Sequence, residues 1–251
     1  MSTGSSTAVP VTGHPGLQGR AVLVIGRGSG IARATVLAAR DAGARVVAAG
    51  RHPETLEQAY AGEPGIRTEQ VDITDDASIA SLGERLGAVD HVVSTASSRA
   101  RGALADLSRD AIRASFDTKV IGPLMLAKHL GSRINTGGSF VLFSGVAAFK
   151  LAIGTMAVAI TNGAADTLTR SLALELAPVR VNAISPGVID TGAWDGLGEE
   201  RKTAMYAETS RLNPVRRIGT ADDVASAVLF ALTNTFLTGA TIPVDGGEEL
   251  T

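Results

Sequence analysis

The residues of this chain best suited to hold a reactive group are a run of glycines with polar residues set among them. Gly26, Gly28 and Gly30 follow the apolar stretch Val22 to Ile25, with Arg27 and Ser29 between them. This spacing predicts a strand, a tight loop, and a helix that starts at about Gly30 and carries Ile31 in its first turn. In such a loop Gly26 lets the chain turn sharply and Gly30 lets the backbone approach a pyrophosphate, while the helix end aims free N–H groups at it. Ala32 supplies the third small position, where helix and strand must pack closely. Glycines so spaced also make plain turns, but the flanking strand and helix favour a dinucleotide site.

Two further positions would select the dinucleotide. The next apolar run ends in Gly50-Arg51, where an NAD site would place an acid against the ribose hydroxyls. Arg51 can instead grip a 2′-phosphate through forked, charge-assisted hydrogen bonds, with Arg27 as a second cation. NADP(H) is therefore the expected cofactor. The plain alternative for Arg51 is a solvated residue ahead of a helix opened by Pro53. Asp72, next to Ile73, could accept a hydrogen bond from an adenine amino group or simply serve a turn, and Asp75 is placed to cap a helix to about Leu86. Ser94-Thr95-Ala96-Ser97, small and polar at the end of a strand, suits a crevice beside a ribose.

The elements that must position these groups alternate strand and helix. Strands are expected over 22–25, 45–49, 66–71, 89–94, 138–143, 179–184 and 241–244, and helices over 31–42, 75–86, 106–130, 156–176 and 222–232. Pro123 lies inside the fourth strand-to-strand crossing; it lacks an N–H and should kink the helix there, freeing the carbonyl of Lys119. After Trp194 comes a mostly polar segment, 196 to 211, with Met205 and Tyr206. It reads as a lid over a substrate pocket, about 192–212, or as a surface helix with one apolar stripe.

The chain has 251 residues, 45% of them apolar, which suits one α/β domain with a buried parallel sheet. Residues 1–18, rich in Ser, Thr, Gly and Pro, read as a disordered tail, leaving 19–251 as the domain. A formal net charge of −2 with both signs interspersed gives no field for nucleic acid or an anionic membrane. No Cys is present and the four His show no metal-ligand spacing, so neither thiolate chemistry nor a zinc site is expected, and the composition suits a cytoplasmic protein. No apolar run is long enough to span a bilayer.

Taken together, Gly26-x3-Gly30-Ile31-Ala32, Asp72 and its neighbours, Arg180-Val181-Asn182-Ala183-Ile184-Ser185-Pro186-Gly187, Thr238-Gly239 and Val244-Asp245-Gly246-Gly247 resemble the short-chain dehydrogenase/reductase family of the classical kind, from about Leu17 to Gly247. The resemblance implies a doubly wound Rossmann fold with a parallel sheet of order 3-2-1-4-5-6-7, a nicotinamide cofactor along its carboxyl edge, and a homotetramer or homodimer joined through the fourth and fifth helices. It further implies cofactor contacts from Pro186, Gly187, Ile189 and Thr191, the last to the nicotinamide carboxamide.

The family's catalytic pattern does not carry over. Its Ser, Tyr and Lys positions fall on Gly145, Val158 and Asn162, and the Asn of its fourth helix falls on Lys119. Ile25 replaces the usual Thr, and Ser94 to Ser97 replaces Asn-Asn-Ala-Gly. The only tyrosines are Tyr60 and Tyr206, so no shift of register restores the motif. Lysine and asparagine are thus exchanged between two helices, and Lys119 could send its ammonium to the place of the missing lysine or run along its helix to solvent. Lys119, Ser144, Asn162 and Tyr206 are the candidate catalytic residues, with Asp190 a further candidate acid. The expected function is NADP(H)-dependent oxidation or reduction of a small, fairly apolar alcohol or carbonyl. The alternative is an inactive NADP(H)-binding sensor, or a partner subunit that docks on an active homologue through the face of helix 155–177.

Overall fold

Along β1 (Ala21–Ile25) the side chains of Val22 and Val24 enter one apolar cluster and those of Leu23 and Ile25 another, and all four are buried. A strand buried on both faces belongs inside a parallel sheet covered by helices on both sides. The structure, a computed structural model, describes residues 16–251. Its other strands are β2 (Arg45–Gly50), β3 (Ile66–Gln70), β4 (Val89–Ser94), β5 (Ile134–Phe143), β6 (Arg180–Pro186), β7 (Ile189–Asp190), β8 (Gly219–Thr220) and β9 (Thr241–Val244). Seven of them form one parallel sheet in the order β3-β2-β1-β4-β5-β6-β9, the Rossmann-type order that the resemblance implied. The short parallel pair β7 and β8, with no periodicity to announce it, stands apart.

The helices are α1 (Gly30–Asp41), α2 (Pro53–Ala59), α3 (Asp76–Leu86), α4 (Arg109–Phe116), α5 (Gly122–Leu130), α6 (Met156–Glu175), α7 (Glu199–Leu212) and α8 (Ala221–Thr233). Val36 of α1 and Val224 and Val228 of α8 pack on one face of the sheet. Leu82 of α3, Leu126 and Leu130 of α5 and Leu172 of α6 pack on the other. Strand order reverses between β1 and β4, which opens a crevice at their carboxyl ends.

Three segments differ from the sequence expectation. Residues 1–15 of the expected tail lie outside the described residues, but Leu17, at its end, is 1% exposed and part of the core. Strand β5 begins at Ile134, four residues before Gly138, because the ladder with β4 shifts register between Val89 and His91. Gly138 makes that approach possible, since a Cβ there would lie 2.2 Å from the Asp90 carbonyl. The crossing before Pro123 starts at Arg109, where Ser108 caps Ala111 N–H, and it does not simply kink. It widens into a π-helical turn, Asp117–Ile121, in which the Gly122 N–H donates to the Asp117 carbonyl, and Pro123 falls in the first turn of α5, where no donor is needed. Lys119 lies within that wide turn.

Helix α8 enters through a capping box: Thr220 Oγ1 accepts from Asp223 N–H at 3.2 Å, and the Asp223 carboxylate accepts from Thr220 N–H at 2.8 Å. Thr220→Ala removes one half of that exchange. It is expected to cost about 1 kcal/mol and to lower the melting temperature by about 3 °C, read by calorimetry.

Candidate active site

A cleft of about 1190 Å³ follows the carboxyl ends of the central strands and is walled by residues of β1, β2, β5 and β6. Its floor is the glycine loop. The sharp turning belongs to Gly28 and Gly30, with φ of +74° and +53°, whereas Gly26 is needed for closeness. A Cβ on Gly26 would lie 2.6 Å from the Ala32 Cβ and 2.4 Å from Thr95 Oγ1, and one on Gly30 would lie 2.9 Å from the Thr191 Cβ. Loop and helix therefore leave bare backbone facing the cleft. Ser29 stands at the N-cap of α1 in an extended conformation with its hydroxyl uncommitted, and the helix has no acid in its first turn. This is a cradle for an anion.

Arg27, Ser29, Ile31, Arg51, Asp72, Ile73 and Ala96 also line the cleft. Thr95 holds the loop in place, its Oγ1 donating to the Ile25 carbonyl at 2.9 Å. Arg51 is exposed. Asp72 Oδ1 accepts from both Thr74 N–H (2.9 Å) and Thr74 Oγ1 (2.7 Å), the turn role weighed for it. Burial works to raise the Asp72 carboxyl, but those two bonds and the charges of Arg51 and His52 outweigh it and hold it below the usual carboxylate range. On the far wall are Pro186, Gly187, Ile189 and Thr191. Glu248, which no motif had singled out, closes this wall by accepting from Val188 N–H at 2.9 Å, and burial raises its carboxyl.

Beyond the cradle, Lys119 of the π turn and Asn162 of α6 both reach the strand end at Ser144-Gly145. Lys119 is 9% exposed and turns inward, its Nζ donating to the Ser144 carbonyl at 2.9 Å. Ser144 Oγ donates to the Asn162 carbonyl at 3.2 Å, and Asn162 Nδ2 donates to the Gly145 carbonyl at 3.2 Å. A Cβ on Gly145 would come within 2.8 Å of that same Nδ2. Val158 is buried against Ala147 and Ala159 and presents an apolar wall. Burial pushes the Lys119 ammonium down to about 7, and the charge of Arg99 pushes the same way against the pull of Asp166. Burial costs the cation more than one carbonyl returns.

The segment after Trp194 folds as α7, none of whose residues is buried, and it turns Met205 and Thr209 toward the cleft. Tyr206 is brought to Asp190, the further candidate acid, but not to Lys119, Ser144 or Asn162. Its hydroxyl donates to Asp190 Oδ1 at 3.1 Å, and it does not line the cleft, because adjacent helical residues point about 100° apart. Two residues that the sequence reading passed over, Arg99 and Arg101, line the cleft and lie over the Trp194 ring, 6.0 and 4.8 Å from its centre. Among the described residues there is no group of three or more metal-ligating side chains, and no helix is long and apolar enough to cross a membrane.

Comparison with known proteins decides the lineage. A family model described as Enoyl-(Acyl carrier protein) reductase matches residues 25–249. L-xylulose reductase of Mus musculus is 33% identical over 242 residues, which cover 92% of this chain and 97% of its own length. This chain belongs to the short-chain dehydrogenase/reductase family. Another similar family protein is the 2-keto-3-deoxy-L-fuconate dehydrogenase of Xanthomonas campestris pv. campestris, 29% identical over 261 residues, which cover 97% of this chain and 85% of that one. Among solved structures, a small-chain dehydrogenase in complex with NADPH has a TM-score of 0.79 at 33% identity, with 93% of this chain and 100% of that chain covered. The ligand-free aldohexose dehydrogenase of Thermoplasma acidophilum gives 0.84 at 27% identity, with 94% and 96% covered. The sheet order and the carboxyl-edge cleft described above are those of a short-chain dehydrogenase/reductase.

Proposed function

We propose that this chain is an NADP(H)-dependent oxidoreductase that interconverts a small carbonyl compound and its alcohol, with Lys119 as the proton-transferring residue. The observation that carries this reading is the inward Lys119, its ammonium at the cleft wall and its ordinary affinity for a proton lowered to about 7. The bare backbone at Gly26 and Gly30 and the acid-free start of α1 fit a pyrophosphate, with Arg51 and Arg27 for a 2′-phosphate and Thr191 for the carboxamide. NADPH, when bound, supplies hydride.

The chain's own residues do the rest. Lys119 delivers a proton to the carbonyl oxygen in reduction and removes one from the alcohol in the reverse direction, a task for which a group titrating near neutrality is suited. Ser144 and Asn162 are positioning residues: the Ser144 carbonyl holds the Lys119 Nζ, and the Asn162 amide and carbonyl fix the Ser144-Gly145 strand end. Val158 and Met205 exclude water and favour an apolar substrate body. Apolar residues left exposed on the π turn, α5 and α6, namely Ile121, Leu124, Ile160 and Leu174, offer a face for a second copy of the chain in a homodimer or homotetramer.

Purified protein in saturating NADPH, offered a panel of ketones, quinones, enones and oxo-acids, should show carbonyl-dependent loss of nicotinamide absorbance. NADPH binding seen by fluorescence with no turnover across the panel would instead support the non-catalytic sensor or partner subunit, which the apolar Val158 favours.

A further inference from the structure

We infer that the substrate carries an anionic head, a carboxylate or a phosphate, that is held by Arg99 and Arg101 beside Trp194. This deepens the proposed function and rests on its reading of the cleft as a substrate site. Both guanidinium groups lie over one indole ring and both line the cleft. Like charges that share a ring repel each other, so something must repay the arrangement. Several arginines elsewhere in this protein have partners: Arg20 pairs with Asp90, Arg33 with Glu63, Arg217 with Asp223, and Arg180 donates to carbonyls at the end of α8. Among the described residues neither Arg99 nor Arg101 has a carboxylate within ion-pair distance. The charges that act on Arg99 are those of Arg101 and Arg27, which add to its burial in lowering its proton affinity, and burial alone lowers that of Arg101. Two partly desolvated, unpaired guanidinium groups aimed into a cleft form a fork for a planar or tetrahedral anion.

The position of the fork says which anion. Trp194 follows Thr191 by three residues on the segment that leads into α7, so the fork lies at the lid end of the cleft. Arg99 is also close enough to Lys119 for its charge to be felt there. A molecule with its carbonyl at Lys119 and its body against Val158 and Met205 would bring a terminal anion to the arginines. The substrate class is therefore an apolar oxo- or hydroxy-acid, or a phosphate ester of similar length, rather than a neutral ketone. The competing occupant of the fork is the cofactor's pyrophosphate, because Arg27 in the glycine loop lies within reach of Arg99's charge.

The chain's one tryptophan is Trp194, so intrinsic fluorescence reports directly on this corner. The full-length protein, with and without saturating NADP⁺, is titrated with benzoate against benzamide, hexanoate against hexanamide, and phenyl phosphate against phenol. At least one anion is expected to bind about tenfold or more tightly than its neutral counterpart. Whether carboxylates or the phosphate ester show the larger preference identifies the head group. Arg99→Gln and Arg101→Gln should each erase the preference and leave NADPH affinity unchanged. The inference is overturned if neutral and anionic members bind alike, if no anion gives a saturable response up to millimolar concentrations, if the preference survives in the double variant, or if Arg101→Gln weakens NADPH itself. The titration of the unsubstituted protein without cofactor needs neither variant folding nor NADPH binding, so loss of the proposed function and loss of this inference would be told apart.

Discussion

Lys119→Met is expected to lower kcat for carbonyl reduction by about 10²- to 10⁴-fold while NADPH still titrates into the cleft. Methionine fills nearly the same volume with no proton to give, so packing survives and acid catalysis does not. Stability should move the opposite way. Lys119 is buried and its folded proton affinity is lowered from 10.5 to about 7, so folding is penalised wherever the unfolded lysine is charged. That penalty is complete below about pH 7 and fades as pH rises toward the unfolded value near 10.4. Removing the amine should therefore hold or raise the melting temperature at neutral pH. A residue that merely braced the fold would lower it. The pH profile gives a second readout. If reduction needs the ammonium, its kcat/KM falls as pH rises through about 7, and alcohol oxidation, which needs the free amine, rises through the same region. Both limbs should flatten in the methionine variant. Full activity in that variant, or a pH profile it leaves unchanged, removes Lys119 from the chemistry.

Arg51→Ala is expected to reduce the preference for NADPH over NADH by about 10- to 100-fold, measured by direct fluorescence titration of both cofactors. The side chain is exposed beside the cleft, and a charge-assisted contact with a 2′-phosphate would be made and lost almost entirely in the bound state. Asp72 adds to the effect, because the Arg51 charge is one of the influences that hold its carboxylate ionised. Without Arg51 that carboxylate faces a phosphate with less compensation. The discrimination should weaken as salt is raised, since exposed charges are screened. Equal affinities for the two cofactors in the unsubstituted protein would defeat the assignment.

What the sequence made legible has a physical pattern. A strand buried on both faces, such as β1, reads as a nearly continuous apolar run, so it can be found without a structure. The glycine loop is legible because backbone closeness leaves a gap in side chains at fixed spacing. The structure divides the work differently from the reading, however: Gly28 and Gly30 turn the chain and Gly26 admits Ala32. Features that depend on distant partners were not legible. Strand β5 reaches back to Ile134 only because Gly138 can lie against the Asp90 carbonyl, and Leu17 looks like part of a polar tail until the core it fills is assembled. The inward course of Lys119 belongs to the same class. One lysine on a helix could equally have run to solvent, and its neighbours in space, Ser144 and Asp166, are far from it in the chain. Arg99 and Arg101 went unnoticed because a loop has no periodicity against which two cations could stand out, although their spacing, with only Ala100 between them, could have raised the question.

The contact between Gly145 and Asn162 ties together two positions seventeen residues apart in the chain. Any side chain placed at Gly145 meets the Asn162 amide, so that amide must first give up its bond to the Gly145 carbonyl. A serine at position 145 would crowd the strand end, and a change at Asn162 alone would leave the Gly145 carbonyl short of a donor. Positions 145 and 162 thus behave as one unit, in which a substitution at either is tolerated only when the other changes to match it.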